Sequence, residues 1–135
     1  MRVLIVAGSR TVDDAELIRK AIESLKPDEV VCGMAKGADT IGHQIADEMG
    51  IPVKEMPAEW SNIDAPGAVI KRGPYGPYNA RAGHDRNAKM ADYADMAVVI
   101  FRGKTKGSMD MVELMIDRRK PVLIAHQLED QDDPS

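Results

Sequence analysis

Apolar residues fall along this chain in two alternating rhythms. The first rhythm is a set of short, largely apolar and β-branched runs: Val3 to Ala7, Glu29 to Cys32, Pro52 to Met56, Met96 to Phe101 and Pro121 to Ala125. Runs of this length and composition predict strands buried on both faces, as parallel strands are when helices cover them. Between the runs lie longer stretches with helical spacing. Ala15, Leu17, Ile18, Ala21, Ile22 and Leu25 share one face of a helix, with Asp13 or Asp14 available as its N-terminal cap. A second helix runs from about Ala38 to Met49 and stops at Gly50 and Pro52. A third covers Asp85 to Tyr93. A fourth begins near Ser108 and ends around Arg118, Arg119 and Lys120, where basic groups suit the C-terminal end of the helix dipole.

Alternating strands and helices predict an α/β fold: a Rossmann-like, doubly wound, mainly parallel five-stranded sheet with helices on both faces. Right-handed crossovers then place a ligand crevice outside the carboxyl ends of the strands, where the winding direction reverses. One stretch breaks the rhythm. Pro57 to Gly83 holds four Pro, four Gly, Trp60, Tyr75 and Tyr78 without a clear period, and reads as a long loop or lid.

At 135 residues the chain has the usual size of one domain, expected over 1–128 with an acidic tail at 129–135. The net charge of -4 resides in that tail, where Glu129, Asp130, Asp132 and Asp133 stand; residues 1–128 carry 18 acids and 18 bases. A balanced body argues against nucleic-acid binding through clustered positive charge. The single Cys32 precludes an internal disulfide, and the short first apolar run ends in a glycine turn instead of a cleavage site, so a cytoplasmic protein is expected. No apolar run approaches the roughly 20 residues of a membrane-spanning helix.

Candidate chemistry concentrates after the first, second and fourth strands, where small residues open onto helices. These are Gly8-Ser9-Arg10, Gly33-Met34-Ala35-Lys36-Gly37-Ala38-Asp39 and Gly103-Lys104-Thr105-Lys106-Gly107-Ser108. Each alone is an ordinary strand-to-helix turn; three on one edge point to backbone amides facing a phosphate. A P-loop is excluded, because its first glycine would fall on Val98 inside a strand, and no G-x-G-x-x-G follows the first strand. Arg86 suits bidentate phosphate binding, and Asn87 suits a base edge or ribose hydroxyl. His43, His84, His126 and Cys32 lack paired ligand spacing, so neither a metal nor another cofactor is expected.

The segments GSR, GMAKGAD, MPAEW, AGHDRNAKM and RGKTKGSMDMVE, in this order from Val3 to Ala125, resemble the YspA-like family of the SLOG superfamily. The resemblance implies a Rossmann-like sheet that binds nucleotides or nucleotide-derived signals, often as a homo-oligomer. Carried over by position, it implies a ligand site of Gly8, Ser9, Arg10, Gly33, Lys36, Gly37, Asp39, Trp60, Arg86, Asn87, Gly103, Gly107 and Ser108. Lys36 stands where the family commonly has Arg, which keeps the charge and loses the bidentate fork.

The related phosphoribohydrolases of the superfamily carry an R-K pair and a catalytic Glu; here Arg86-Asn87 and Met111 occupy those positions. Asp39, Asp110 and Glu113 are the remaining candidate carboxylates, the last two sharing a helix face at i and i+3. Three functions are thus open: a module that senses or sequesters a nucleotide, a nucleotide N-glycosidase, and a nucleic-acid-binding protein like distant members of the superfamily. The stretch from Ile63 to Arg81 exceeds the family's usual linker, and reads either as a lid with base-stacking tyrosines or as an oligomer contact.

Overall fold

The computed structural model describes residues 1–33, 37–74, 76–103 and 106–127, without the side chains of 106 and 107. Five parallel strands form the main sheet: β1 (Val3–Gly8), β2 (Glu29–Cys32), β3 (Val53–Glu55), β6 (Met96–Phe101) and β7 (Val122–His126), ordered β3-β2-β1-β6-β7. Two further strands, β4 (Ile70–Gly73) and β5 (Gly76–Asn79), pair with each other as an antiparallel hairpin. The helices are α1 (Ala15–Leu25), α2 (Ala38–Glu48), α3 (Ala82–Tyr93) and α4 (Lys106–Asp117).

The alternation of strand side chains divides the core in two. Leu4, Val6, Val30, Cys32, Val98 and Ile100 pack under α1 and α2 with Ile18, Ile22 and Ile45. Val3, Ile5, Val31, Ala97, Val99 and Phe101 pack on the other face under α3 and α4, where Met90, Met111 and Met115 fill the layer. Winding runs from β1 outward through β2 to β3, then returns past β1 to β6 and β7. The direction therefore reverses between β1 and β6, the Rossmann-like arrangement expected from the pattern.

Local chemistry explains the element ends. Asp14 caps α1, its side chain accepting from the Leu17 amide at 3.0 Å. The carbonyl oxygen of the Gln127 side chain accepts from the amides of Asp13 and Asp14 at 2.9 and 3.0 Å, tying the chain after β7 to the start of α1. At the far end of α4, Lys120 Nζ donates to the carbonyls of Ala91 and Asp92, closing the end of α3 as well.

Two expectations need correction. Burial on both faces holds for β1, β2 and β6 but not for β3 and β7, which are the sheet's edges and expose Lys54 and Glu55, and Leu123 and Ile124, respectively. A short apolar run does not reveal its place in the strand order. Second, Pro57 to Gly83 is not an aperiodic connection throughout: it holds the β4–β5 hairpin, and α3 begins at Ala82, earlier than Asp85. The hairpin escapes period-2 reading because Gly and Pro occupy half of β5 and close the turn, residues normally depleted in strands. Asn79 fixes it in place: its main-chain N–H donates to Trp60 O at 2.7 Å and its Oδ1 accepts from the Val69 and Arg81 amides at 3.3 and 3.0 Å.

Candidate functional site

Parallel strands align their carboxyl ends, so the turns after β1, β2 and β6 lie along one edge of the sheet. Ser9, immediately after β1, is buried; its amide donates to Ile100 O at 3.1 Å and its Oγ accepts from the Arg102 amide at 3.1 Å. The reversal point between β1 and β6 is thereby closed by a serine and a main-chain bond. Arg102, which the sequence did not single out, donates from its guanidinium to Thr11 O at 2.8 Å and holds the β1–α1 turn over β6.

The glycines here answer first to the protein's own packing. A Cβ on Gly8 would strike the Ile100 carbonyl oxygen and come within 2.8 Å of Ala38 Cβ. One on Gly33 would occupy the place of the Arg86 guanidinium. Gly37, at φ 81°, serves as N-cap of α2 with no side-chain cap, and a Cβ there would collide with the Ser9 carbonyl oxygen and lie 2.7 Å from that of Arg10. Gly37 is consequently pressed against the first turn, and α2 starts beneath Ser9 and Arg10. Arg10 is exposed, with no hydrogen bond or ion pair among the described residues. Lys36 lies outside the described residues.

From α3 a polar chain runs across this edge. Arg86 Nη1 donates to Gly33 O at 2.5 Å, at the mouth of β2, while its Nε donates to Asn87 Oδ1 at 2.9 Å. Asn87 Nδ2 donates to Asp110 Oδ2 at 3.1 Å, and Asp110 Oδ1 pairs with His84 Nδ1 at 2.7 Å. Burial pulls the Arg86 pKa down and the charge of Asp39 opposes it; a guanidinium stays charged at neutral pH regardless. Asp39 is itself buried in the first turn of α2, beside Gly33. The structure thus brings Gly33, Asp39, Arg86, Asn87 and Asp110 together. The sequence weighs His84 only as a metal ligand and does not assign it to this site, although positions 84 and 87 share a helix face and both reach Asp110.

The remaining candidates separate. Gly103 follows β6 at φ 73°, and Gly107 and Ser108 lie in the first turn of α4, Ser108 buried. Glu113 is exposed on α4, away from the contacts made by Asp110. Trp60 is 43% exposed; its ring lies edge-on to Tyr78 at 6.4 Å, and a Cβ on Gly83 would lie 3.0 Å from it. Next to it a cleft of about 650 Å³ opens between the chain after β3 and one face of α3, lined among others by Met56, Glu59, Asn62, Ala82, Arg86 and Lys89. Arg86 is common to the polar chain and the cleft. Among the described residues, no group of three His, Cys, Asp or Glu is disposed to hold a metal ion, and no helix is long and apolar enough to cross a membrane.

Residues 1–62 match the model of the YspA, cpYpsA-related SLOG family. No curated protein matches the sequence. Among solved structures, DNA processing protein A (DprA) from Streptococcus pneumoniae is similar, with a TM-score of 0.67 and 21% sequence identity, over 96% of this chain and 52% of that one. The chain accordingly spans about half the length of that neighbour, and the likeness at this identity is one of fold. With the Rossmann-like sheet in place, the match over residues 1–62 bears out the resemblance of this chain to the YspA-like SLOG family.

Proposed function

We propose that this protein binds a nucleotide or nucleotide-derived phosphate ligand at the carboxyl edge of its sheet, as a sensor or sequestering module. The observation that carries this reading is Arg86. Its half-buried guanidinium is held at the mouth of β2 by Gly33 O and Asn87 and also lines the cleft of about 650 Å³. A cation kept partly out of water gains from an anionic partner, and a fork already oriented by two hydrogen bonds loses little entropy on meeting a phosphate. Arg10, exposed above the start of α2, supplies a second cation. Trp60, beside the cleft, offers a ring face for a base.

The test is a panel of nucleoside mono- and diphosphates, ADP-ribose and a single-stranded oligonucleotide, followed by calorimetry and by chromatography for free base. A nucleotide is expected to bind without base release, and Arg86→Ala to weaken it by about 1.5–3 kcal/mol, the range for a charge-assisted hydrogen bond. Arg86→Lys should recover only part of that loss, since it restores charge but not the fork. Base release abolished in Asp39→Asn or Asp110→Asn would convert the module into a hydrolase. Binding of the oligonucleotide alone would replace the small ligand by nucleic acid.

A further inference from the structure

Asn79 ends β5 and is 2% exposed. Its Oδ1 accepts from the main-chain amides of Val69 and Arg81, at 3.3 and 3.0 Å, so hydrogen bonding fixes which way the side-chain amide points. The other end, Nδ2, donates to no group among the described residues. Among those residues no side-chain nitrogen or oxygen is sealed from solvent without a partner, and Asn79 lines the cleft beside Trp60; its Nδ2 therefore opens into that cleft. A donor on an otherwise buried side chain calls for an acceptor that the protein does not supply.

The rest of the lining describes the molecule that carries that acceptor. Asn79 lies at the N-terminal end of α3, through its bond to the Arg81 amide, whereas Arg86 and Lys89 stand about 6 and 10 Å beyond Ala82 along the helix axis. Glu59 and Asn62 belong to the Asn79 end, because the Asn79 main-chain amide donates to Trp60 O at 2.7 Å. Asn62 Nδ2 reaches Glu59 Oε2 only at 3.4 Å, a long bond that leaves the carboxylate with free lone pairs. Met56, Pro57, Pro66 and Ala88 give the cleft apolar walls. Glu59 and Asp85 offset Arg86 and Lys89, and Asp85 also pairs with Arg81 at 3.5 Å. A ligand with one anionic end and one flat, neutral, hydrogen-bonding end suits this balance better than a polyanion.

We infer that the cleft is a base pocket selective for guanine, an inference that rests on the nucleotide reading above. Asn79 Nδ2 donates to O6 of the base, the Glu59 carboxylate accepts from N1–H and the 2-amino group, and the phosphates extend along α3 to Arg86 and Lys89. The order of groups on the base decides the choice. Guanine sets one acceptor beside two adjacent donors, and an amide N–H next to a two-oxygen carboxylate completes that pattern. Adenine carries an amino group where guanine has O6, so a donor would face Asn79 Nδ2 and both would go without a partner. The cleft, at about 650 Å³, lies within the usual range of small-molecule sites.

Calorimetry with GDP, IDP and ADP, together with the emission of Trp60, the chain's single tryptophan, tests this on the full chain. GDP is expected to bind roughly 10- to 100-fold more tightly than ADP, the range for hydrogen bonds to a charged group left unmade. IDP, which lacks the 2-amino group, should fall between them, and GDP should quench Trp60. Asn79→Asp keeps an oxygen for the Val69 and Arg81 amides but removes the donor, so the preference for GDP over ADP should shrink by roughly tenfold or more while the hairpin keeps its acceptor. Glu59→Gln, at an exposed position, should bring the affinity for GDP down toward that for IDP. Equal affinity for GDP and ADP would overturn the guanine pocket and leave nucleotide binding standing, as would a GDP preference unchanged in both variants. Absence of binding by all three overturns it as well, and the panel with ADP-ribose described above then decides the broader reading by itself.

Discussion

Gly42 shows what single residues decide here. It sits inside α2, where glycine costs about 0.5–1 kcal/mol relative to Ala, so propensity alone recommends Ala. The packing reverses that: a Cβ at 42 would lie 2.6 Å from Val6 Cγ1 and 2.9 Å from Val6 Cβ. Val6 is buried in the middle of β1 and cannot withdraw. Gly42→Ala should consequently lower stability by about 1–3 kcal/mol in urea unfolding, the cost of overpacking a core; a gain would mean that α2 can move off the sheet. Gly33 follows the same logic at the site, since its missing side chain is the space Arg86 occupies. The sequence assigns Gly33 to a ligand site, but whether that glycine serves a ligand or a neighbouring side chain is a matter of distance.

At the scale of elements, the hairpin and the helix ends carry the tests. Asn79 is buried and accepts two amides across the base of β4–β5. Asn79→Ala leaves those amides without their acceptor, so a loss of about 1–3 kcal/mol is expected. Limited proteolysis should then cut first between Trp60 and Arg81. The joined ends of α3 and α4 give a pH dependence. Arg118, donating from Nε to Asp92 Oδ1 at 2.7 Å, holds the Asp92 carboxyl below its ordinary range, with partial desolvation opposing. A carboxylate with a depressed folded-state pKa contributes stability above its unfolded pKa and loses it as pH falls through the folded one. The wild type should therefore exceed Asp92→Asn at neutral pH and converge with it in acid, below the usual carboxylate range. The difference is expected to be small and salt-sensitive, because the pair is exposed. Thermal melts of both variants across pH check it.

For the whole molecule, strand order governs. Five short runs all predict strands, yet β1, β2 and β6 become interior strands while β3 and β7 become edges. Lys54 and Glu55 mark the charged edge in the sequence, whereas the apolar β7 run differs from an interior strand only by its place in the sheet.

Periodicity and turn residues alone were enough to predict the parallel α/β sheet, its four helices and the edge on which the glycine turns gather, because each depends on spacing within a few residues. The segments that resemble the family named Arg86, Asn87 and Asp39 for the same edge. Tertiary structure alone decided that Asp110 and His84 join Asn87 while Glu113 faces water, since contacts between α3 and α4 depend on how two helices are rotated on one sheet face. It also decided that a Gly- and Pro-rich stretch closes into a hairpin through Asn79, and that the last strand is left with an open apolar edge. Those outcomes depend on residues far apart in the chain, and no local pattern contains them.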